Sequence, residues 1–265
     1  MNEISKLNKN AVNTSGVRSD LSYNNRMDQM RYFEALQYCK DKVVLDIACG
    51  VGWGTYLLAS AGSKFVYGVD ISESAIADAK KFHSRFNNEY FVGDVELIPI
   101  GNETVDIIIC LETIEHVNNP QQFFSELNRV IKREGILVLS SPNSLLYKNG
   151  NKPYNPYHFD EYTRDEVCVF ANKSGFELKD YFGQYMVKNQ KEVDFYLRFI
   201  RNYWFIRRIQ MTFGTIGKLI STILMKCFKN YFNLNDPALE GNCSPRKVED
   251  GYEPAHHYFI FKKCL

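Results

Sequence analysis

Glu112, Glu115 and His116 come directly after an apolar run, Val105 to Ile109, that reads as a buried strand. Ionisable groups crowded so closely cost stability unless something pairs with them. On a helical turn, positions i, i+3 and i+4 share a face, so the three side chains are expected to converge on one point. Two carboxylates and an imidazole suit a hard divalent ion such as Mg2+ or Mn2+. Without an ion, His116 alone can serve as a general base, or the group is an ordinary helix start. His158, in the later stretch "NPYHFDEYT", offers a fourth ligand.

A second set of acids lies upstream. Asp46, Asp70 and Asp94 each fall at the end of an apolar run, and a turn containing Gly50, Gly52 and Gly54 follows the first of them. Glycines let the backbone approach a ligand closely, and the helix start behind the turn presents unpaired N–H groups. A carboxylate at Asp46 repels a pyrophosphate but suits the ammonium and sulfonium of an amino-acid-bearing nucleoside. Asp70, about 20 residues on, stands where an acid takes ribose hydroxyls in open α/β sheets. Asp94 is placed to accept a hydrogen bond from an adenine amine.

The elements that must hold these residues alternate at short spacing. Strands are expected at 43–47 and 64–72, within "EYFVGDVELIPI", and in "TVDIIICLE" and "ILVLSSPN". Helices are expected at 27–39, after the glycine turn, in "ESAIADAKKFHSRF", and in "NPQQFFSELNRVIKREG" ending at Gly135. Continuously apolar strands separated by helices indicate a mostly parallel sheet covered on both faces, an α/β Rossmann-like fold. Beyond it come a long Tyr- and Asn-rich loop, a helix capped by Thr163, a sixth strand "ELKDYFG" and a last strand at 256–263.

The chain has 265 residues, 45% hydrophobic and 24% charged, with a formal charge of +1. That balance gives no general pull toward nucleic acid. Seven cysteines, none in a C-x-x-C pair, suit a reducing compartment. The start lacks the apolar core of a signal peptide, and the expected location is cytoplasmic. The organisation expected is a flexible arm over 1–25, a catalytic domain over 26–187 and 251–265, and an insertion over 188–250. The insertion carries Phe213, Ile216, Ile220, Ile223, Leu224 and Cys227 on one helical face, and Lys218, Lys226 and Lys229 on the other. This suits either a helical cap or an element lying on a membrane surface through 195–232.

The stretches "VVLDIACGVGWGTYLLA", "VYGVDIS", "FVGDVELIPI", "VDIIICLETIEHV" and "ELNRVIKREGILVLSSPN" resemble the successive motifs of class I S-adenosylmethionine-dependent methyltransferases. The resemblance implies a seven-stranded sheet whose last strand inserts antiparallel. It implies that Asp46 and the turn through Ala48, Gly50 and Gly52 hold the methionine part of S-adenosylmethionine. Asp70, with Ile71 beside it, would take both ribose hydroxyls, Asp94 and Val95 would contact adenine, and Leu111 would lie against the cofactor. "REG" stands where the family often has proline before the glycine.

E-x-x-E-H with a later histidine resembles two metal-dependent branches, the small-RNA 2′-O-methyltransferases and the ubiquinone-pathway O-methyltransferases. It implies that Glu112, Glu115, His116 and His158 bind the ion, and that Glu112, His116 and His158 act in catalysis. With "RMDQMRYFEALQYCKDKVVLDIACG" and "SPNS…YHFDEYT" included, the sequence resembles methyltransferases found with bacterial cell-surface polysaccharide and glycan assembly. The expected acceptor is therefore a hydroxyl on a sugar, glycan or related small molecule, with a phenolic, quinone-type or RNA 2′-hydroxyl as alternative. An NAD-dependent oxidoreductase and a non-catalytic cofactor-binding subunit are the rival classes.

Overall fold

The computed structural model describes residues 23–149, 152, 153, 155, 157–188 and 244–264, with isolated positions between 191 and 206. The arm expected over 1–25 falls almost wholly outside the described residues. So does most of the insertion, including the stretch around Lys218, Lys226 and Lys229.

The first helix, α1 (Tyr23–Cys39), begins ahead of the expected Met27. Its buried stripe is Met27, Arg31, Ala35 and Cys39, one residue every four. Helical periodicity thus sets a charged guanidinium among apolar neighbours. There follow β1 (Val43–Ile47), α2 (Trp53–Ser60), β2 (Phe65–Asp70), α3 (Glu73–Phe82), β3 (Asn88–Val92), β4 (Val105–Leu111), a 3-10 turn (Ile114–His116), α4 (Pro120–Val130) and β5 (Ile131–Pro142). The long loop contains a one-turn helix, α5 (Ser144–Tyr147), and a small hairpin of β6 (Lys148–Asn149) and β7 (Lys152–Pro153). Then come α6 (Arg164–Lys173), β8 (Phe176–Val187), β9 (Arg246–Lys247) and β10 (Glu253–Lys263).

The main sheet runs β3-β2-β1-β4-β5-β10-β8-β9. β1 to β5 pair in parallel, and β10 inserts antiparallel between β5 and β8, as expected. The sheet has eight strands rather than seven, because the two-residue β9 adds an edge beside β8. The inner strands are mostly apolar, apart from residues such as Asp46 of β1 and Asp106 of β4, because successive side chains enter different layers. Val44, Ile107, Ile109, Val138 and Ile260 pack under α1 and α2, while Leu45, Ile108, Leu137, Leu139 and Phe261 meet Phe123, Phe124 and Leu127 of α4.

One boundary differs from the sequence reading. α4 ends at Val130, and Ile131 is already extended. Two adjacent β-branched residues favour the strand, and β5 enters the sheet through an irregular step with Glu134 at φ 62°. Gly135 is required there, since a Cβ would lie 2.5 Å from Ile131 Cγ1 and 2.9 Å from the Asp106 carbonyl. Strand order reverses at β1, between β2 and β4, which marks the crevice at their carboxyl ends as the ligand site.

Candidate active site

The turn after β1 holds Ala48, Gly50 and Gly52 at φ 55°, 55° and 81°. Gly52 caps α2, and a Cβ there would come 2.7 Å from Ala79 Cβ and 2.8 Å from the Tyr90 ring and hydroxyl. Among the described residues an added Cβ at Gly50 meets nothing within 4 Å, which leaves space above this residue for a ligand. Asp70 fixes the turn from β2. Its Oδ2 accepts from the Gly50 N–H at 2.8 Å and its Oδ1 from the Ser72 N–H at 2.9 Å. Each oxygen keeps a second lone pair, which is what a pair of ribose hydroxyls requires.

Asp46 is fully buried, and its carboxylate accepts from Thr55 Oγ1 at 2.6 Å and from the Tyr32 hydroxyl at 3.0 Å. It braces β1 against α1 and α2, so what it offers a cationic ligand is field rather than direct contact. Burial, with Asp70 adding to it, pushes its acid form up to about 7, against the two hydroxyls that favour the ion. Asp94 is exposed and accepts from the Glu96 N–H, closing a tight turn. Ile71 is 70% exposed beside Asp70, whereas Val95 and Leu111 are half-buried against the core. The exposed Ile71 suits the apolar face of a bound base.

Glu115, His116 and His158 come together, with one ligand atom from each within 4.8 Å of the others. Glu115 is 1% exposed, and its Oε2 has no hydrogen-bond partner among the described residues. Burial, the nearby Glu112 charge and Glu161 raise its pKa well above the ordinary value, against Arg31. His116 Nδ1 donates to the Tyr157 carbonyl at 3.1 Å, which leaves Nε2 as the lone-pair nitrogen. Burial of the ring and the neighbouring His158 lower its pKa, so the neutral base is favoured. His158 is wedged between Glu161 Oε1 (2.7 Å from Nδ1) and the Asn155 amide (2.6 Å from Nε2). The two imidazoles meet edge to face, 4.8 Å apart.

Glu112 does not join them. It precedes the 3-10 turn at φ 51°, so the helical spacing that should have aligned it never begins. Its carboxylate instead meets Arg31 at 3.4 Å, Ser140 Oγ at 2.8 Å and His256 Nδ1 at 2.9 Å. Arg31, His256 and its neighbour Tyr147 were not singled out from the sequence. Arg31 was visible as the one charge in the Met27–Cys39 stripe. His256 was not, because its role depends on where β10 inserts.

Residues 45–139 match the methyltransferase domain family. Over 170 residues the chain is 28% identical to a Mycolicibacterium smegmatis protein named as a probable S-adenosylmethionine-dependent methyltransferase, covering 64% of this chain and 65% of that one. It is 31% identical over 181 residues to a ubiquinone biosynthesis O-methyltransferase of Coxiella burnetii, covering 63% of this chain and 76% of that one. An S-adenosylmethionine-dependent methyltransferase structure from Mesorhizobium loti superposes with a TM-score of 0.55 at 13% identity, over 89% of this chain and all 100% of that one. The chain belongs to the S-adenosylmethionine-dependent methyltransferases. It spans just under two thirds of the length of the mycobacterial relative.

Proposed function

We propose that the protein methylates a hydroxyl of a small-molecule acceptor, a sugar or glycan or a related polyol, using S-adenosylmethionine. Glu115, His116 and His158 would hold a divalent ion beside that hydroxyl. The observation that carries the reading is Glu115 Oε2, which has no partner among the described residues and is buried beside two imidazoles. An orphaned buried carboxylate oxygen is costly, and a divalent ion that accepts imidazole nitrogens beside a carboxylate, Mn2+ more readily than Mg2+, would satisfy it. Mg2+ or Mn2+ bound there would lower the pKa of a coordinated hydroxyl.

The remaining roles fall to the chain itself. The Ala48–Gly52 turn and Asp70 receive the nucleoside, Ile71, Asp94 and Val95 border its base, and Leu111 closes the floor. His158 must give up its Asn155 contact to turn Nε2 toward an ion, while Glu161 keeps the ring oriented from Nδ1, the usual partner arrangement for a ligating histidine. If no ion binds, the neutral His116 with its free Nε2 is the base.

A second reading of the acceptor is a phenol or quinone precursor. Tyr157 and Phe159 flank His158 and are 61% and 66% exposed, and such rings suit an aromatic body. The Coxiella relative is named for that chemistry. Titration of Mn2+ into EDTA-treated protein tests the metal, and transfer of labelled methyl to glycans and catechols tests the acceptor. Full turnover in excess chelator would remove the metal reading and leave His116.

A further inference from the structure

Glu112 stands outside the Glu115–His116–His158 set, and it anchors a second chain of proton-carrying groups. This inference rests on the hydroxyl-methylation reading above. Burial alone would push the Glu112 acid up, but Arg31 and His256 overturn that and hold it well below the usual carboxylate range. Glu112 is therefore an ion and only accepts. His256 must carry its proton on Nδ1, 2.9 Å from Glu112 Oε2. Its Nε2 lone pair then faces the Tyr147 hydroxyl at 2.5 Å, which donates to it. The order hydroxyl, imidazole, carboxylate is the arrangement that activates a hydroxyl in Ser-His-Asp hydrolases, with a phenol in place of the serine.

The chain sits where the reaction must occur. Glu112 is the first residue after β4, His256 lies opposite Pro142 at the end of β5, and Tyr147 closes the one-turn helix after β5. These are the ligand-facing ends of the strands beside the switch point. Glu112 also holds a left-handed backbone at φ 51°, and its carboxylate meets His256 rather than Glu115 and His116. Arg31 already neutralises Glu112, so a purely structural tie has no need of an imidazole and a phenol behind it.

We propose that Tyr147, backed by His256 and Glu112, takes the acceptor hydroxyl's proton as the methyl group is transferred. The acceptor oxygen bonds to the methyl carbon, and the carbon–sulfur bond breaks with its electron pair on sulfur. The acceptor's proton passes to Tyr147 Oη while the Tyr147 proton passes to His256 Nε2. The resulting imidazolium is stabilised by Glu112 and later yields its proton to solvent. Tyr147 is thus the catalytic contact, and His256 and Glu112 position and power it.

The test compares wild type, Tyr147→Phe and His256→Gln with saturating Mn2+ supplied, so that His116 is held as a ligand, with S-adenosylmethionine and either catechol or 4-nitrocatechol. Loss of a general base is expected to lower kcat for catechol about 100-fold, with KM and the Kd for S-adenosylmethionine within twofold of wild type. The loss should be far smaller for 4-nitrocatechol, whose more acidic hydroxyl needs less help; a merely structural role would depress both alike. If both variants keep wild-type kcat, or lose it equally on both acceptors, the relay is wrong while hydroxyl methylation stands. If wild type binds S-adenosylmethionine but methylates neither catechol nor any hydroxyl in a glycan panel, the hydroxyl reading fails and takes the relay with it.

Discussion

Glu112 Oε2 lies 2.9 Å from His256 Nδ1, a contact between residues 144 positions apart. It joins the first residue after β4 to the head of the strand that enters the sheet last in sequence. On its other side Glu112 meets Arg31, which is 1% exposed and also bonds Gln184 and Asp28. Removing Arg31 strands a carboxylate that water reaches only in part. Arg31→Met is therefore expected to cost about 3–5 kcal/mol of stability, the usual effect of breaking one side of a buried pair. Adding Glu112→Gln should recover part of that loss. Urea unfolding of both single variants and the double variant measures the coupling, and simple additivity would contradict it.

Gly50 and Gly52 both have left-handed backbones, yet their alanine variants should behave differently. At Gly52 the new methyl collides with Ala79 and Tyr90. Strain and overpacking together should cost about 3 kcal/mol or more, seen as a large drop in Tm. At Gly50 the methyl meets no atom of the described residues within 4 Å, so the stability cost should be only about 1 kcal/mol. Its space is the ligand's, so Gly50→Ala should weaken S-adenosylmethionine binding by more than tenfold in calorimetry. Equal affinity would show that the open space above Gly50 is not the binding site.

Asp70→Ala removes the acceptor of two backbone N–H groups along with the expected ribose contacts. Each lost bond to a charged acceptor is worth about 1.5–3 kcal/mol. S-adenosylmethionine affinity should fall by about 100-fold or more, since the turn loosens as well. Near-native circular dichroism beside that loss would locate the effect in the site.

The parallel half of the sheet and the acids at its strand ends were legible in the sequence because each depends on local order: an apolar run, then an acid at its end, then a turn. The antiparallel insertion of β10 came from family resemblance, since nothing in "HHYFIFKK" says which strands it will separate. The convergence of Glu115, His116 and His158 was anticipated, but the helical spacing argument wrongly included Glu112. One residue at positive φ turns a side chain to another partner, and no periodicity reports that. Likewise the end of α4 was misplaced because Arg133 and Glu134 read as helix formers, while pairing of Ile131 with Val105 decided the matter.

Asp46 supplies a prediction about protons. Its pKa is raised from the usual carboxylate range to about 7, chiefly by burial. The folded apoprotein therefore holds a proton that the unfolded chain has released, and between about pH 4 and 7 this group's contribution to stability falls as pH rises. Asp46→Asn should flatten that part of the stability profile. A sulfonium and an ammonium bound over the turn favour the ionised form, so S-adenosylmethionine should bind with release of a proton near pH 6.5, and bind more tightly as pH rises from 6 to 8. Calorimetry in two buffers of different ionisation enthalpy reads the proton directly. In Asp46→Asn the release should disappear. If wild type releases none, Asp46 is already ionised in the apoprotein, and Thr55 and Tyr32 outweigh burial.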